Sequence, residues 1–448
     1  MLGDGQAGAK SFIICGAIVH STEPSHVTIL EDGFVAVCDG KVAAVGGRPQ
    51  LPEARARLAV PEDRLVALAP GQFLCPGLVD THIHPQQYLN LGLGLDRPLL
   101  EWLDTYTFPL EDKFSDEAFA RRVWAAVVRC TLAHGTTTAC YFATVHGRST
   151  LALAETVRDL GQRAVVGKVS MDRNCPAYLR EATERSLSDT AGFLLAVAAL
   201  KCDRVQPAIT PRFAITCSEP LMRGLADLAD KHNTLIQTHI SENQEEVKSV
   251  LSLFPEAKNY TDVYLAAGLL GPKTVLAHGV HLADEELGVL AERGCSVAHC
   301  PNSNTALRSG QCDVRRLLAA GISVGLGTDV SGGFSPSMVN AMQSAVSVST
   351  HLSFRDGQRH APLNYQEVFH LATLGGATAL SLGDRTGNFA LGKDFDALVV
   401  DMSATGSGAE VVSTYTTAEL LQKFIFVGGD RNVRRVYVAG RVVKDTAA

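Results

Sequence analysis

Two histidines one residue apart, His82 and His84, stand in the stretch "LCPGLVDTHIHPQQYL". Side chains alternate across a strand, so residues i and i+2 share a face and two imidazoles there can meet one cation. Other apolar runs end in residues of the same chemical kind. "TLIQTHISE" carries His239 with Glu242 three residues on, "TVLAHGV" carries His278, "CSVAHCP" His299 and "SVGLGTD" Asp329. Imidazole nitrogen and carboxylate oxygen bind zinc at about 2.0–2.2 Å, and an open position on such an ion brings the pKa of a water to about 7. His82, His84, His239 and Asp329 offer three neutral donors and one charge, a set that iron(II) also accepts. Glu242 can sit beside such an ion without binding it, where a proton shuttle belongs. His278 is either a further ligand or a partner that orients the attacking water. A lone strand-end histidine is more often a hydrogen-bonded structural residue. The whole set, each member on a different run, points to one centre.

These side chains can meet only if the runs that carry them converge. Eight short runs alternate with helical stretches: "GLVDTHIH", "GTTTACYFA", "RAVVGKVS", "RVQPAITPRF", "TLIQTHISE", "TVLAHGV", "CSVAHCP" and "SVGLGTD". Their continuous apolar character suits strands covered on both faces. Between them lie amphipathic segments such as "EAFARRVWAAVVRCTLAHG" and "DEELGVLAERG", the latter stopped by Gly294. Eight strand–helix units predict an α/β fold of the (β/α)8 TIM type, whose active sites gather at the C-terminal strand ends. A doubly wound open sheet is the competing architecture, and it would string the same residues along a line. The ends of the chain differ in texture. "SFIICGAIVH" and "GFVAVCDGKVAAVGG" near the start, and "DFDALVVDM" and "VRRVYVAGRVV" near the finish, predict one small β-sandwich built from both termini. The expected divisions are 1–75 and 389–448 for the sandwich and 76–388 for the barrel.

Composition narrows the class. Of 448 residues, 46% are apolar and 19% charged, the profile of a folded soluble protein. The net charge of −7 and the lack of any Lys/Arg run beyond a pair argue against nucleic acid or an anionic membrane as partner. No apolar stretch approaches the roughly 18 residues of a membrane helix. "FIICGAIVH" lacks a basic flank and reads as a strand rather than a leader, and "FLLAVAAL" at 193–200 reads as a buried helix end. The 11 cysteines are scattered without a C-x-x-C pair, which speaks against disulfide or structural-zinc frameworks and for a reducing cytosol.

"PGLVDTHIH", with the later His, His and Asp, resembles the amidohydrolase superfamily of metal-dependent (β/α)8 hydrolases. Within it the chain is similar to the guanine deaminase family from about residue 10 to 445. The stretches that carry the similarity are "PLLEWLDTYTFPLEDKF", "TPRFAITCS", "THISEN", "HCPNSNTALRSG", "GLGTDVSGGFSPSM" and "LATLGGATALSLGDRTGNFALGKDFDALVV". The first of them is not a general amidohydrolase feature. The resemblance implies one zinc ion per subunit on His82, His84, His239 and Asp329, and catalytic roles for Glu242, His278 and Asp329. It implies substrate contacts from His84, Pro85, Gln86, Gln87, Arg212, Phe213, His239, Glu242 and Asp329. Strand four enters "AITPRF" without the modified lysine of binuclear members, so a single ion is expected. The implied reaction is hydrolytic deamination of guanine to xanthine and ammonia by a zinc-activated hydroxide, in purine catabolism, by a homodimer. Arg212 suits the C6 carbonyl oxygen and Phe213 the ring face.

One departure stands out: the family usually has small residues where this chain has Pro85 and Gln86, and a proline restricts the backbone leading to Gln87. The H-x-E and P-C-x-x-C patterns of cytidine-deaminase-type zinc sites are absent. Two other functions compete. One is a hydrolase on the same scaffold acting on an adenosine-type thioether, a triazine or a pyrimidine, distinguished through Gln87, Arg212 and residues 98–114. The other is a non-catalytic assembly protein, which would have shed metal ligands. "EWLDTYTFPLEDKF" is too aromatic for a free loop and reads as a lid or an interface. His299 reads as indirect support for the centre, and Cys300 as a buried thiol without a role.

Overall fold

The computed structural model describes residues 11–355, 361–409 and 413–446. All eight runs are parallel strands: Leu78–Ile83, Thr136–Phe142, Arg163–Ser170, Val205–Pro211, Leu235–Ile240, Thr274–His278, Ser296–His299 and Ser323–Leu326. They pair in chain order within one sheet. At the seam between the last and the first, Asp329 N–H donates to the His82 carbonyl at 2.9 Å and His84 N–H to that of Val330 at 3.1 Å. Two backbone bonds thus draw the ring together and fix residue 329 against residues 82–84. The open-sheet alternative is excluded.

Burial on both faces explains the strand composition, since every residue of Thr136–Phe142 and Arg163–Ser170 is buried. Helices wrap the outside. In Glu117–Ala133 the Asp116 carboxylate caps the first turn, accepting from Ala118 and Phe119 N–H at 2.9 and 3.2 Å. Ala120, Val123, Trp124, Val127 and Val128 recur at helical spacing on its buried face. Gly294, with φ +71, follows helix Asp284–Glu292 in the left-handed conformation that a glycine stop requires. In helix Thr183–Ala199, Phe193, Leu194 and Val197 are buried while Leu195 is 62% exposed. The "FLLAVAAL" segment is therefore amphipathic rather than buried throughout, because one side of its helix meets solvent. Beneath the barrel, Ala377, Leu380 and Leu382 pack against Val79, Val165, Ala208, Leu235, Val275 and Ala298 from six of the strands, plugging the end remote from the histidines.

The two ends of the chain meet in a second, mixed sheet. Its order is Arg441–Asp445, Val433–Val438, Ala397–Asp401, Gln72–Pro76, Phe12–Glu23, His26–Cys38 and Lys41–Gly47, with Leu65–Ala67 beside Phe12–Glu23. Ile14, Ile18, Val35 and Leu74 share one core with Phe395, Val399 and Tyr437. The Phe12 ring lies 5.7 Å from both the Phe395 and Tyr437 rings. The expected sandwich is thus a continuous sheet folded over itself. Antiparallel pairing of Ala397–Asp401 with Gln72–Pro76 joins the two ends, which satisfies strand edges that two separate layers would leave open. Arg163 of the third barrel strand ties this unit to the barrel. Its Nε donates to Asp396 at 2.7 Å and its Nη2 to Asp394 at 2.9 Å, with all three side chains buried.

Candidate active site

The C-terminal strand ends bring the expected residues together. His82 and His84 come from the end of Leu78–Ile83, His239 from Leu235–Ile240, His278 from Thr274–His278, and Asp329 follows Ser323–Leu326. His84 Nε2 faces His239 Nε2 at 3.2 Å. Asp329 Oδ1 stands 3.3 Å from His82 Nε2 and 3.3 Å from His84 Nε2. His278 Nε2 lies 3.9 Å from Asp329 Oδ2 and 3.4 Å from Glu242 Oε2. Ligand atoms of His82, His84 and Asp329, and again of His82, His239 and His278, all lie within 4.8 Å of one another.

The surroundings prepare these groups as donors. His239 Nδ1 lies 2.7 Å from the Arg212 carbonyl, which can only accept, so Nδ1 carries the proton and Nε2 turns an open lone pair to the centre. His278 Nδ1 lies 2.9 Å from Asn304 Oδ1. Burial lowers the pKa values of His82, His84 and His239 and keeps the imidazoles neutral. Burial pushes Asp329 up, but electrostatic attraction to the His82 and His278 rings beside it outweighs burial and holds the carboxyl at about 2. His82 Nε2 is buried without a hydrogen-bond partner. An orphaned ring nitrogen beside two others and a carboxylate is the arrangement a cation satisfies, so this donor set fits a metal ion.

Glu242 stands at the edge of this cluster. Burial raises its carboxyl to about 7, partly opposed by His278, while Ser309 Oγ donates to its Oε1 at 2.9 Å. A carboxyl poised there both takes and releases protons near neutrality. His278 is pushed down by burial but raised overall by the charges of Glu242 and Asp329. Ser241, His278 and Asp329 have φ of 47, 76 and 47°. Three non-glycine residues in the left-handed region on one rim of the barrel concentrate backbone strain at the cluster.

A cavity opens over the cluster, lined by His84, Gln87, Arg212, Phe213, Glu242 and Asp329 on the barrel side. Leu99, Trp102 and Leu103 roof it from the expected aromatic stretch, which forms the helical segments Leu99–Trp102, Leu103–Thr107 and Phe108–Asp112. That stretch is a cap on the mouth. Pro85 and Gln86, expected at the substrate, do not line the cavity. They begin the short helix Pro85–Asn90, which presents Gln87 to the wall and turns Gln86 behind it, fully buried and donating to Glu111 at 3.0 Å. His299 is buried and off the wall, and Cys300 is a buried thiol whose pKa burial drives up.

The structure adds two carboxylates that the motif reading overlooked. Glu111, within "PLLEWLDTYTFPLEDKF", accepts from Arg212 Nη1 at 2.7 Å. Glu246 accepts from the Glu242 and Asn243 backbone N–H groups at 2.8 and 3.2 Å and from the Tyr260 hydroxyl at 3.0 Å. Its signal was the N-x-x-E capping box at Asn243, which here also anchors the backbone of Glu242.

A model of the amidohydrolase family matches residues 73–443. The guanine deaminase of Rattus norvegicus is 45% identical over 440 residues, covering 97% of this chain and 96% of that protein. A crystal structure of guanine deaminase from C. acetobutylicum with guanine bound in the active site superposes with a TM-score of 0.91 at 36% identity, covering 97% of this chain and all of that one. An adenosine deaminase from Xanthomonas campestris with bound zinc superposes at 0.83 and 26% identity, over 96% of this chain and 92% of that one. The chain belongs to the amidohydrolase family, in the branch that contains the guanine deaminases.

Proposed function

We infer that the protein hydrolyses guanine to xanthine and ammonia in this cavity, with one zinc ion held by His82, His84, His239 and Asp329. The observation that carries the reading is the meeting, in one buried cavity, of a neutral-imidazole donor set with an arginine and an amide on the adjoining wall. Guanine bound to the structural neighbour and zinc bound to a more distant one support it. Zinc, when bound, supplies a Lewis acid and an acidified water as nucleophile.

The chain's own residues supply the rest. Arg212 donates to the C6 carbonyl oxygen and Phe213 covers the ring face. Adenine presents an amino donor at that position, and a buried charged donor left unpaired costs about 1–3 kcal/mol or more. Asp329, ionised down to about pH 2, accepts a proton from the attacking water. Glu242, poised near 7, carries protons to ring N3 and to the departing amine. His278 lies 3.4 Å from Glu242 Oε2 and stabilises charge as it develops. Leu99, Trp102 and Leu103 keep bulk water out. Guanine breakdown in the cytosol by a homodimer completes the reading. The 11 free cysteines suit a reducing compartment, and no helix among the described residues is long and apolar enough to cross a membrane.

The test is incubation of the purified protein with guanine, adenine, a pyrimidine and a triazine, quantifying xanthine, ammonia and bound zinc. Xanthine and ammonia in equal amounts from guanine alone are expected. Absence of xanthine from a zinc-loaded preparation overturns the reading.

A further inference from the structure

A buried carboxylate stands behind the purine-facing wall. Glu111, on cap helix Phe108–Asp112, is 1% exposed. It accepts from Arg212 Nη1 at 2.7 Å on Oε2, and from Gln86 Nε2 at 3.0 Å and Gln87 Nε2 at 3.3 Å on Oε1. Glu111 is not on the cavity wall, whereas Arg212 and Gln87 are.

Each contact removes a freedom that recognition cannot tolerate. A guanidinium is a planar fork of donors, so fixing one nitrogen aims the others. Glu111 fixes Nη1 while the Phe108 ring, 5.1 Å from the guanidinium carbon, supports its face. An amide side chain can present either end to a ligand until its neighbours decide. Glu111 accepts only, and Ser331 N–H, which donates only, meets Gln87 Oε1 at 3.3 Å. The Gln87 amide is therefore locked, nitrogen to Glu111 and oxygen to Ser331. The counter-charge also keeps Arg212 from being a lone buried cation.

We propose that Glu111 is a positioning residue that sets recognition of the purine's carbonyl edge, by aiming Arg212 and locking Gln87. Because Glu111 belongs to the cap and Arg212 to the barrel, that edge is complete only when the cap is seated. The proposal rests on the guanine reading above.

A double-mutant cycle on the zinc-loaded enzyme tests it, with wild type, Glu111→Gln, Arg212→Met and the double variant assayed on guanine. Loss of a charge-assisted bond predicts that Glu111→Gln raises KM about 10- to 100-fold while kcat stays within about threefold. In the Arg212→Met background the same change should move KM several-fold less, leaving only the part that runs through Gln87, since coupled residues are not additive. Glu111→Asp, which keeps the charge, should recover part of the loss. It also replaces Glu111→Gln in the cycle should that variant not fold. An unchanged KM, or equal effects in both backgrounds, overturns the proposal while leaving guanine turnover standing. A zinc-loaded wild type that does not turn over guanine removes the underlying reading, and this proposal with it.

Discussion

His84 Nε2 and His239 Nε2 face each other across 3.2 Å, although 155 residues separate them in the chain. Both rings are held neutral by burial, and His239 is turned to this orientation by the Arg212 carbonyl. His239 Nε2 turns its lone pair toward His84 Nε2. A cation bound beside Asp329 would take both nitrogens as donors.

Metal removal should abolish activity and lower stability together. A ligand at 100 times its dissociation constant stabilises by about 2.7 kcal/mol, so dialysis against a tight chelator should lower Tm by several degrees and guanine turnover by more than about 100-fold. Zinc should restore both. Full activity in a preparation shown by elemental analysis to be metal-free would contradict the assignment of the donor set.

Glu242→Gln removes the proposed proton carrier but no proposed ligand. Zinc content should stay near wild type while kcat falls by roughly 10²–10⁴-fold, the contribution of a general acid–base group. Turnover retained at wild-type level would take Glu242 out of the mechanism.

Trp102 is 2% exposed, lines the cavity and donates its indole N–H to the Leu93 carbonyl at 3.1 Å. Trp102→Ala should destabilise the protein by about 3–5 kcal/mol, the range for a buried tryptophan, and raise KM for guanine. Thermal melts and initial-rate kinetics read the two effects. A KM equal to wild type would mean that the cap does not shape the bound state.

Acid sensitivity should arise partly far from the active site. His20 and His370 are 8% and 9% exposed, and burial lowers both from the ordinary value near 6.5 to about 4, with Lys393 adding to the effect on His20. Their folded values lie below their unfolded ones, so the unfolded chain takes up protons first. Their contribution is complete above about pH 6.5 and disappears as pH falls towards 4. The gap corresponds to about 3 kcal/mol per histidine. Urea midpoints between pH 7 and 4 should fall more steeply in wild type than in a His20→Gln/His370→Gln variant; parallel curves would refute the linkage.

Arg163→Met should leave the carboxylates of Asp394 and Asp396 buried without their shared guanidinium. Removing one partner of a buried ion pair costs about 3–5 kcal/mol. The urea midpoint should drop accordingly while kcat at low temperature stays near wild type. A midpoint within error of wild type would show that the tie between barrel and terminal sheet carries little stability.

Eight strands, and the pairing of His82 with His84 at the end of one of them, were legible in the residue pattern alone. Continuous apolar runs of strand length suit a parallel sheet covered on both faces, closed or open, and the period of two puts His82 and His84 on one face. The pattern also determined that the two β-rich ends form one unit. How that unit closes, as one sheet folded over itself with Ala397–Asp401 paired to Gln72–Pro76, emerged from the fold, because strand pairing between distant segments leaves no local periodicity to read. The same holds for the cavity wall. Pro85 and Gln86 sit beside Gln87 in the chain, yet the helix Pro85–Asn90 turns Gln87 to the cavity and Gln86 away from it. Glu111 reaches Arg212 across 101 residues. No spacing encodes such a contact, since the cap and the barrel strand meet only once the whole barrel has brought its rim together.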